Sequence, residues 1–447
     1  MVTERLAAHM ASAPARALPD DVVRKTRLHI LDTIAAMVSG TRLAAGQRII
    51  PWARTQGGPA QALVPGSNVR TQVVWAALAG GVLAHADETD DSHAASLTHP
   101  GCAIVPAALA VADWIDASGD QLIRAVACGY DIGPRVARAL GGEKYFERHH
   151  SSHAVGGLFG ATAAVSALLG FTPRECEYML AYAVQLTSGN ACWRRDPDHV
   201  EKAFDFGGMP AHQAVLAATF VRAGMSGSVQ PLEGTPGLFS AHAASAHPEL
   251  ATEALGERYE IMNTAIKKWC VGSPIQAALD STEYLMQHEG LKADDIARID
   301  VALPKTSAAV VDRRLMPALS LQFQIALLLV DGRLTFDSGH DEHRMTEPRI
   351  AQLSERIHTD PRTEQEFVDY PRQAIVTATL RDGRVLRRQT LHVRGTPGDP
   401  MSQAEVQDKA RDLMAPVLSE RTETLVQRLL ALDRVAKVRE LNPLLEA

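Results

Sequence analysis

Apolar residues recur at helical spacing through most of the first two thirds of the chain. Between Val23 and Val38 they fall at Val23, Ile30, Leu31, Ile34, Met37 and Val38, a 3.6-residue period that predicts an amphipathic helix. Asp20 or Asp21 is placed to cap it and Gly40 to end it. The same pattern predicts helices over about 71–86, 103–116, 120–139, 153–169, 174–187, 207–224 and 274–288. The segment GGLFGATAAVSALLG (156–170) carries small residues at its packing positions, which lets helix axes approach closely and predicts a central place in a bundle.

The pattern changes after about residue 265. Arg298–Pro304 reads as a strand, and Ala374–Val393 as two strands joined at Asp382-Gly383, a strong hairpin signal. Between them, Ser320–Gly332 (SLQFQIALLLVDG) reads as a buried helix ending at its glycine. RGTPGDPMS is a turn-rich exit, and about 402–442 returns to helix. The fold class expected is mainly α. A large all-helical domain spans 1–265 and is completed by 397–447, and a smaller α+β domain spans 266–396.

Composition narrows the function classes. The chain has 447 residues with 45 Lys+Arg against 52 Asp+Glu, a net charge of −7, so no global basic field points to nucleic acid. No uninterrupted apolar run reaches the ~18 residues of a membrane span, and the N-terminus lacks a basic start followed by an apolar stretch. Five cysteines without a C-x-x-C spacing argue against a disulfide framework or structural zinc. A cytoplasmic setting is the expectation, with neither membrane nor nucleic acid as partner. Aromatics are 5% of residues, so Ala, Leu, Val and Ile must build the core.

Four segments carry candidate chemistry. The first is His85-Ala-Asp87-Glu88-Thr89-Asp90-Asp91-Ser92-His93, followed by His99-Pro100-Gly101. It holds four carboxylates and two imidazoles in nine residues, which are costly to bury without a role. It reads as a solvated acidic loop, as a metal-ligand set, or as a functional loop with Ser92 and His99 facing a cleft. The second runs from Lys144 through Tyr145, His149 and His150 to His153, ahead of the small-residue helix; helix N-termini attract anions. The third joins Trp193-Arg194-Arg195 to Lys202 and a Gly-rich helix start at Gly207-Gly208. The fourth is Lys267-Lys268 beside Ser273 and Gln276 at the expected domain junction. No P-loop, dinucleotide fingerprint, G-x-S-x-G or H-E-x-x-H occurs. What remains is a set of groups suited to proton transfer beside a carboxylate without a cofactor.

In order along the chain, these segments resemble the MmgE/PrpD family, which includes 2-methylcitrate dehydratase, cis-aconitate decarboxylase and iminodisuccinate epimerase. LHILDTIAAMVSG is similar to the family's first long helix, HADETDDSH with THPG to its H-A-x-D-F-D-D-T-H and H-P-G signature, EKAFDFGGMPAHQAVLAA to its K-R-x-H-x-G-x-A-A-H segment, and PLEGTPGLFSA to its L-E-G-x-x-G-F stretch. The resemblance implies a helical domain, an α+β lid domain, a homodimer and a site between the two domains. It places Glu88, Ser92, His99 and Lys202 on family site positions. Ser273 and Gln276 stand where the family often has Arg and His, and Phe323 where it often has Tyr, so two proton carriers are absent. Their roles would pass to Tyr145, His149 or His150.

The function expected is a cofactor-independent lyase, with no metal, acting on a small di- or tricarboxylate in the manner of 2-methylcitrate dehydratase. The alternatives are epimerisation of an N-substituted aspartate and a catalytically silent carboxylate binder. His99 is the expected acid/base group, with Tyr145 on the opposite face and Ser92 and Glu88 orienting. Lys202 and Lys267 or Lys268 would bind carboxylates, and Asp91, His149, His150, Ser273 and Gln276 complete the expected binding set.

Overall fold

The computed structural model describes every residue except 363–366 and 368–371. Its composition is 62% helix and 9% strand, which makes the protein mainly α. The chain divides into two compact units. The first comprises 1–86, 90–264 and 406–447, and the second 87–89 and 265–405.

The first unit is helical. Its elements include Asp20–Gly40, Val73–Ala84, Gly101–Ile115, Gly119–Ala139, Ser152–Leu169 and Met209–Arg222, with Arg421–Leu430 and, from residue 406 onward, helix Gln403–Leu418 from the other end of the chain. The Ser152–Leu169 helix lies along Gly119–Ala139. A Cβ at Gly133 would come within 2.3 Å of the Gly156 carbonyl oxygen, so the close approach requires glycine. Ser152–Leu169, though interrupted by Ser, His and Thr, is long and apolar enough on average to cross a membrane, and 94% of it is buried inside the fold. Its apolarity serves helix packing.

One local expectation changes: the first long helix begins after Pro19, with Asp20 and Asp21 in its first turn rather than at the cap. The helix ends at Gly40 as expected, and a Cβ there would sit 2.1 Å from the Leu83 carbonyl oxygen. The glycine is a close-contact residue between two helices.

The second unit carries a four-stranded sheet. Ile296–Pro304 lies inside it, parallel to Ile357–Arg362 and antiparallel to Ala374–Leu380, and Val385–Thr390 pairs antiparallel at the edge. Along Ala374–Leu380 burial alternates residue by residue, as a sheet with one covered face requires. Ile299, Val301, Val376 and Ala378 share a core with Leu279, Phe323 and Leu327 of helices Gln276–Glu289 and Leu321–Asp331. The hairpin turns at Gly383 (φ +88°), and Asp382 accepts the Arg384 backbone N–H at 3.0 Å. The exit segment 397–405, expected with the helical domain, groups with this unit instead. Arg394 holds it by a two-pronged bond to Glu405 (3.0 and 2.6 Å) and a further pair to Asp399.

Candidate active site

Lys202 sits in the short helix Val200–Ala203, and the chain then runs directly into a π-helical turn, Phe204–Gly208, before helix Met209–Arg222. Such turns are strained and frequent at functional positions. This one is held by backbone contact: a Cβ at Gly207 would lie 2.1 Å from the Gly81 carbonyl oxygen, and one at Gly81 would lie 2.3 Å from that of Gly207. Gly207→Ala is therefore expected to cost about 1–3 kcal/mol, the usual range for overpacking. A thermal melt indistinguishable from wild type would show that the two backbones can separate freely.

The turn places Phe206 as a spacer between two imidazoles. His85 stacks on its ring at 4.4 Å (19°) and His153 at 3.7 Å (13°). His99 is tilted toward both, at 5.1 Å from His85 and 5.2 Å from His153. Trp193 meets Phe206 edge-on at 4.8 Å. The Lys202 ammonium lies 5.0 Å from the Phe206 ring centre and 5.4 Å from that of Trp193, within cation–π range. The Cys102 thiol donates to the carbonyls of His99 (3.1 Å) and Phe206 (3.5 Å), tying the two residues together.

Asp90 is the charge at the centre. Its carboxylate accepts from His85 Nδ1 at 2.9 Å and from His99 Nδ1 at 3.2 Å. Complete burial by itself would raise its pKa, but the two imidazoles and their hydrogen bonds more than offset this and hold it well below the ordinary carboxylate value. An ionised Asp90 favours an N–H on Nδ1 of both histidines and leaves Nε2 as the ring atom free to exchange a proton with a substrate. His153 is shifted the other way: burial first, then His99, Lys202 and His85, keep it well below the usual imidazole value. It is neutral at neutral pH. His153 Nδ1, His85 Nε2 and Trp193 Nε1 are buried with no hydrogen-bond partner among the described residues. Orphaned polar atoms cost free energy unless something else satisfies them.

Donor atoms of His85, Asp90 and His99 all lie within 4.8 Å of one another, so this trio offers the metal-ligand set that the first sequence segment suggested. As placed, the trio is engaged in the imidazole–carboxylate hydrogen bonds just described.

Residues 4–251 match the N-terminal domain of MmgE/PrpD and residues 269–432 its C-terminal domain. The chain belongs to the MmgE/PrpD family. Human cis-aconitate decarboxylase is 24% identical over 450 residues, covering 94% of this chain and 89% of the relative. The cis-aconitate decarboxylase-like protein oryM of Aspergillus oryzae is 25% identical over 466 residues, covering 96% and 94%. The mitochondrial 2-methylcitrate dehydratase of Yarrowia lipolytica is 24% identical over 394 residues, covering 80% and 73%.

In this MmgE/PrpD chain the residues singled out from sequence fall into three groups. His99 and Lys202 share the Phe206 cluster. Tyr145 is buried beside the segment but stacks on half-buried His150 at 4.6 Å. Burial and then Asp205 push its hydroxyl above the ordinary tyrosine value, which makes it a poor acid at neutral pH. His149 is exposed, in a left-handed turn at φ +67°. Ser92 is half-buried next to His93. Asp91 is fully buried, and its carboxylate accepts from His29 Nδ1 (2.7 Å), the Tyr130 hydroxyl (2.5 Å) and the Gly101 N–H (3.0 Å), so it anchors the start of a helix.

The remaining residues belong to the second unit. The buried Lys267 ammonium donates to the Glu88 carbonyl at 2.7 Å. Lys268 is paired with Glu283 and lies over the Trp269 ring. The Gln276 amide accepts from Trp269 N–H (3.1 Å) and donates to the carbonyls of Trp269 (2.7 Å) and Val271 (2.9 Å). That amide braces a turn with all its bonds. Ser273 is half-buried in the 3-10 turn 273–275, and Phe323 lies in the core.

His153, His85, Asp90, Phe206 and Trp193 were not among the residues chosen from sequence. A signal existed for His153. Ser151 caps helix Ser152–Leu169, accepting the Ala154 N–H at 3.2 Å, so His153 sits in the first turn of the most tightly held helix while His149 and His150 precede it. Asp205, in the same π-helical turn as Phe206, receives the Ser151 hydroxyl; burial, with Glu201 adding to it and Ser151 opposing, pushes its carboxyl up to about 7.

Proposed function

We propose that this chain is a lyase acting on a small di- or tricarboxylate by moving a proton at a carbon next to a carboxylate. The observation that supports this most is the pairing of His99 with His153 at 5.2 Å. One imidazole is oriented by an ionised aspartate and the other is kept neutral by burial and neighbouring cations. This is the equipment of general acid–base catalysis.

In the reading we favour for a dehydration, neutral His153 takes the C–H proton. The electron pair spreads into the adjacent carboxylate as enolate-like charge, and Lys202 stabilises it as a fixed cation. The C–O bond then breaks, and His99, protonated and paired with Asp90, protonates the leaving hydroxyl, which departs as water. For a decarboxylation no C–H proton is taken: the C–C bond to the departing carboxylate breaks, carbon dioxide leaves, and an imidazolium delivers a proton to the carbon that receives the electron pair. The names of the relatives, a decarboxylase of cis-aconitate and a dehydratase of 2-methylcitrate, have in common a proton moved at a carbon next to a carboxylate, removed in one and delivered in the other. Asp90 orients, and the Phe206–Trp193 wall excludes water.

Purified protein incubated separately with 2-methylcitrate and cis-aconitate, and followed by mass spectrometry, tests the proposal. Loss of water or carbon dioxide from one of them is expected, and chelator treatment is expected to leave the rate unchanged. Tight binding of both acids without conversion would turn the reading toward a carboxylate-binding protein. Activity lost to chelator and restored by a divalent ion would make the His85–Asp90–His99 trio a metal site.

A further inference from the structure

We propose that His340 is a positioning residue that holds the tripeptide Asp87–Thr89, and through the continuous chain its neighbours His85 and Asp90, in a pH-dependent manner. Both ring nitrogens of His340 face acceptors. Nδ1 lies 2.8 Å from the Phe336 carbonyl oxygen and Nε2 lies 2.7 Å from the Asp87 carboxylate. A neutral imidazole has one N–H and no charge; the imidazolium keeps the Phe336 bond and supplies the cation that pairs with Asp87. The side chains of His340 and Asp87 are 10% and 4% exposed, so water does not substitute readily for a lost bond.

The tripeptide is gripped at each residue. The Asp87 carboxylate also accepts the Thr89 backbone N–H at 3.0 Å and the Thr89 hydroxyl. The Glu88 carbonyl accepts from the Lys267 ammonium at 2.7 Å. These three residues group with the second compact unit, while His85 and Asp90 on either side belong to the first. Holding 87–89 therefore limits where the backbones of His85 and Asp90 can go.

The charged groups around His340 favour its proton. Asp87 faces it from the tripeptide and Asp337 from its own helix. Helix Leu321–Asp331, packed against that helix, carries one charged side chain, Asp331, which is paired with Arg344. The neighbouring turn Pro317–Leu319 carries none. Burial acts to lower the His340 pKa, but Asp87 outweighs it and the net shift is upward. The sign follows: the tie is complete below the free imidazole value of roughly 6.5 and is lost as pH rises through the higher folded value. Deprotonation removes the positive partner of a buried ion pair and leaves the Asp87 charge without its cation.

Hydrogen exchange on the full chain tests this, read on the peptide spanning 85–91 across about pH 6 to 9 and corrected for the intrinsic pH dependence of exchange. In the wild type, protection of that peptide is expected to fall about tenfold or more over this range. His340→Gln, which keeps a donor without a titrating charge, is expected to show lower but pH-independent protection, and His340→Ala low protection throughout. Wild-type protection that does not change with pH, or a His340→Gln curve falling in parallel with wild type, would overturn the proposal. The consequence for turnover rests on the lyase reading: kcat should track protection while KM changes little. The exchange result stands even if neither acid is turned over, so the two ideas fail separately. Should His340→Ala not fold, His340→Gln alone decides.

Discussion

Replacing His153 with glutamine is expected to lower kcat by ~10²–10⁴, the span typical of one acid–base group. Glutamine keeps the bulk that stacks on Phe206 and a hydrogen-bonding end, but it cannot take up a proton. The thermal melt should stay close to that of wild type. The pH profile adds an independent check. Burial and the cations His99 and Lys202 depress the His153 pKa, so the imidazole stays neutral into acid. The acid limb of kcat/KM should lie below the ordinary imidazole range of roughly 6.5. The same shift makes the folded state disfavour protonated His153, a cost absent above the unfolded value and growing as pH falls below it. If His153→Gln retains more than a tenth of wild-type kcat, the proton passes through His99 alone and His153 is a packing residue.

Lys409→Met is expected to remove about 3–5 kcal/mol of stability from the first unit near pH 8, the usual consequence of stripping one partner from a buried ion pair. The Lys409 ammonium lies 2.7 Å from Asp32, with the two side chains 4% and 1% exposed. The pair joins helix Gln403–Leu418 to Asp20–Gly40, at opposite ends of the chain. Burial pushes the Asp32 carboxyl up to about 6, with Lys409 opposing and Asp91 and Asp90 reinforcing the rise. This raised pKa means that ionising Asp32 costs stability once pH exceeds the unfolded value of roughly 3.9. Without Lys409 the folded pKa climbs further, and the cost keeps growing at higher pH. The variant should therefore be closest to wild type near pH 5 and fall behind as pH rises. Adding Asp32→Asn should recover most of the loss. Equal destabilisation at pH 5 and pH 8, or no recovery in the double variant, would show that Lys409 acts by packing alone.

Local patterns read well where a single face decided them. Asp382-Gly383 between two alternating strands and the Ser320–Gly332 apolar run with its terminal glycine are examples, because turn chemistry and periodicity are properties of neighbouring residues. Ile357–Arg362 escaped notice: IHTDPR contains a proline and little alternation, and it becomes a strand only by pairing in parallel with Ile299–Pro304. The site was legible as segments but not as a constellation. Lys202 and His99 stood out, yet nothing local shows that a π-helical turn inserts Phe206 between His85 and His153. Gly207-Gly208 read only as a Gly-rich helix start, whereas the space against Gly81 is what demands glycine at 207. Gln276 and Lys268 looked like binding groups because sequence does not reveal that one braces backbone and the other faces Glu283. His340 lies 253 residues from Asp87, a pairing no spacing rule reaches.

The most direct measurement of the central claim is deuterium entry at the carbon next to the carboxylate. The enzyme would be incubated in deuterated water with 2-methylcitrate and cis-aconitate, and substrate and product followed by NMR and mass. Deuterium in the product of decarboxylation, or in 2-methylcitrate recovered once its dehydration has reached equilibrium, with its entry slowed at least about a hundredfold by His153→Gln, is the predicted result. Decarboxylation without deuterium entry, 2-methylcitrate that stays unlabelled at equilibrium, or equal rates of labelling in the His153→Gln variant would contradict an imidazole-driven proton transfer at this cluster.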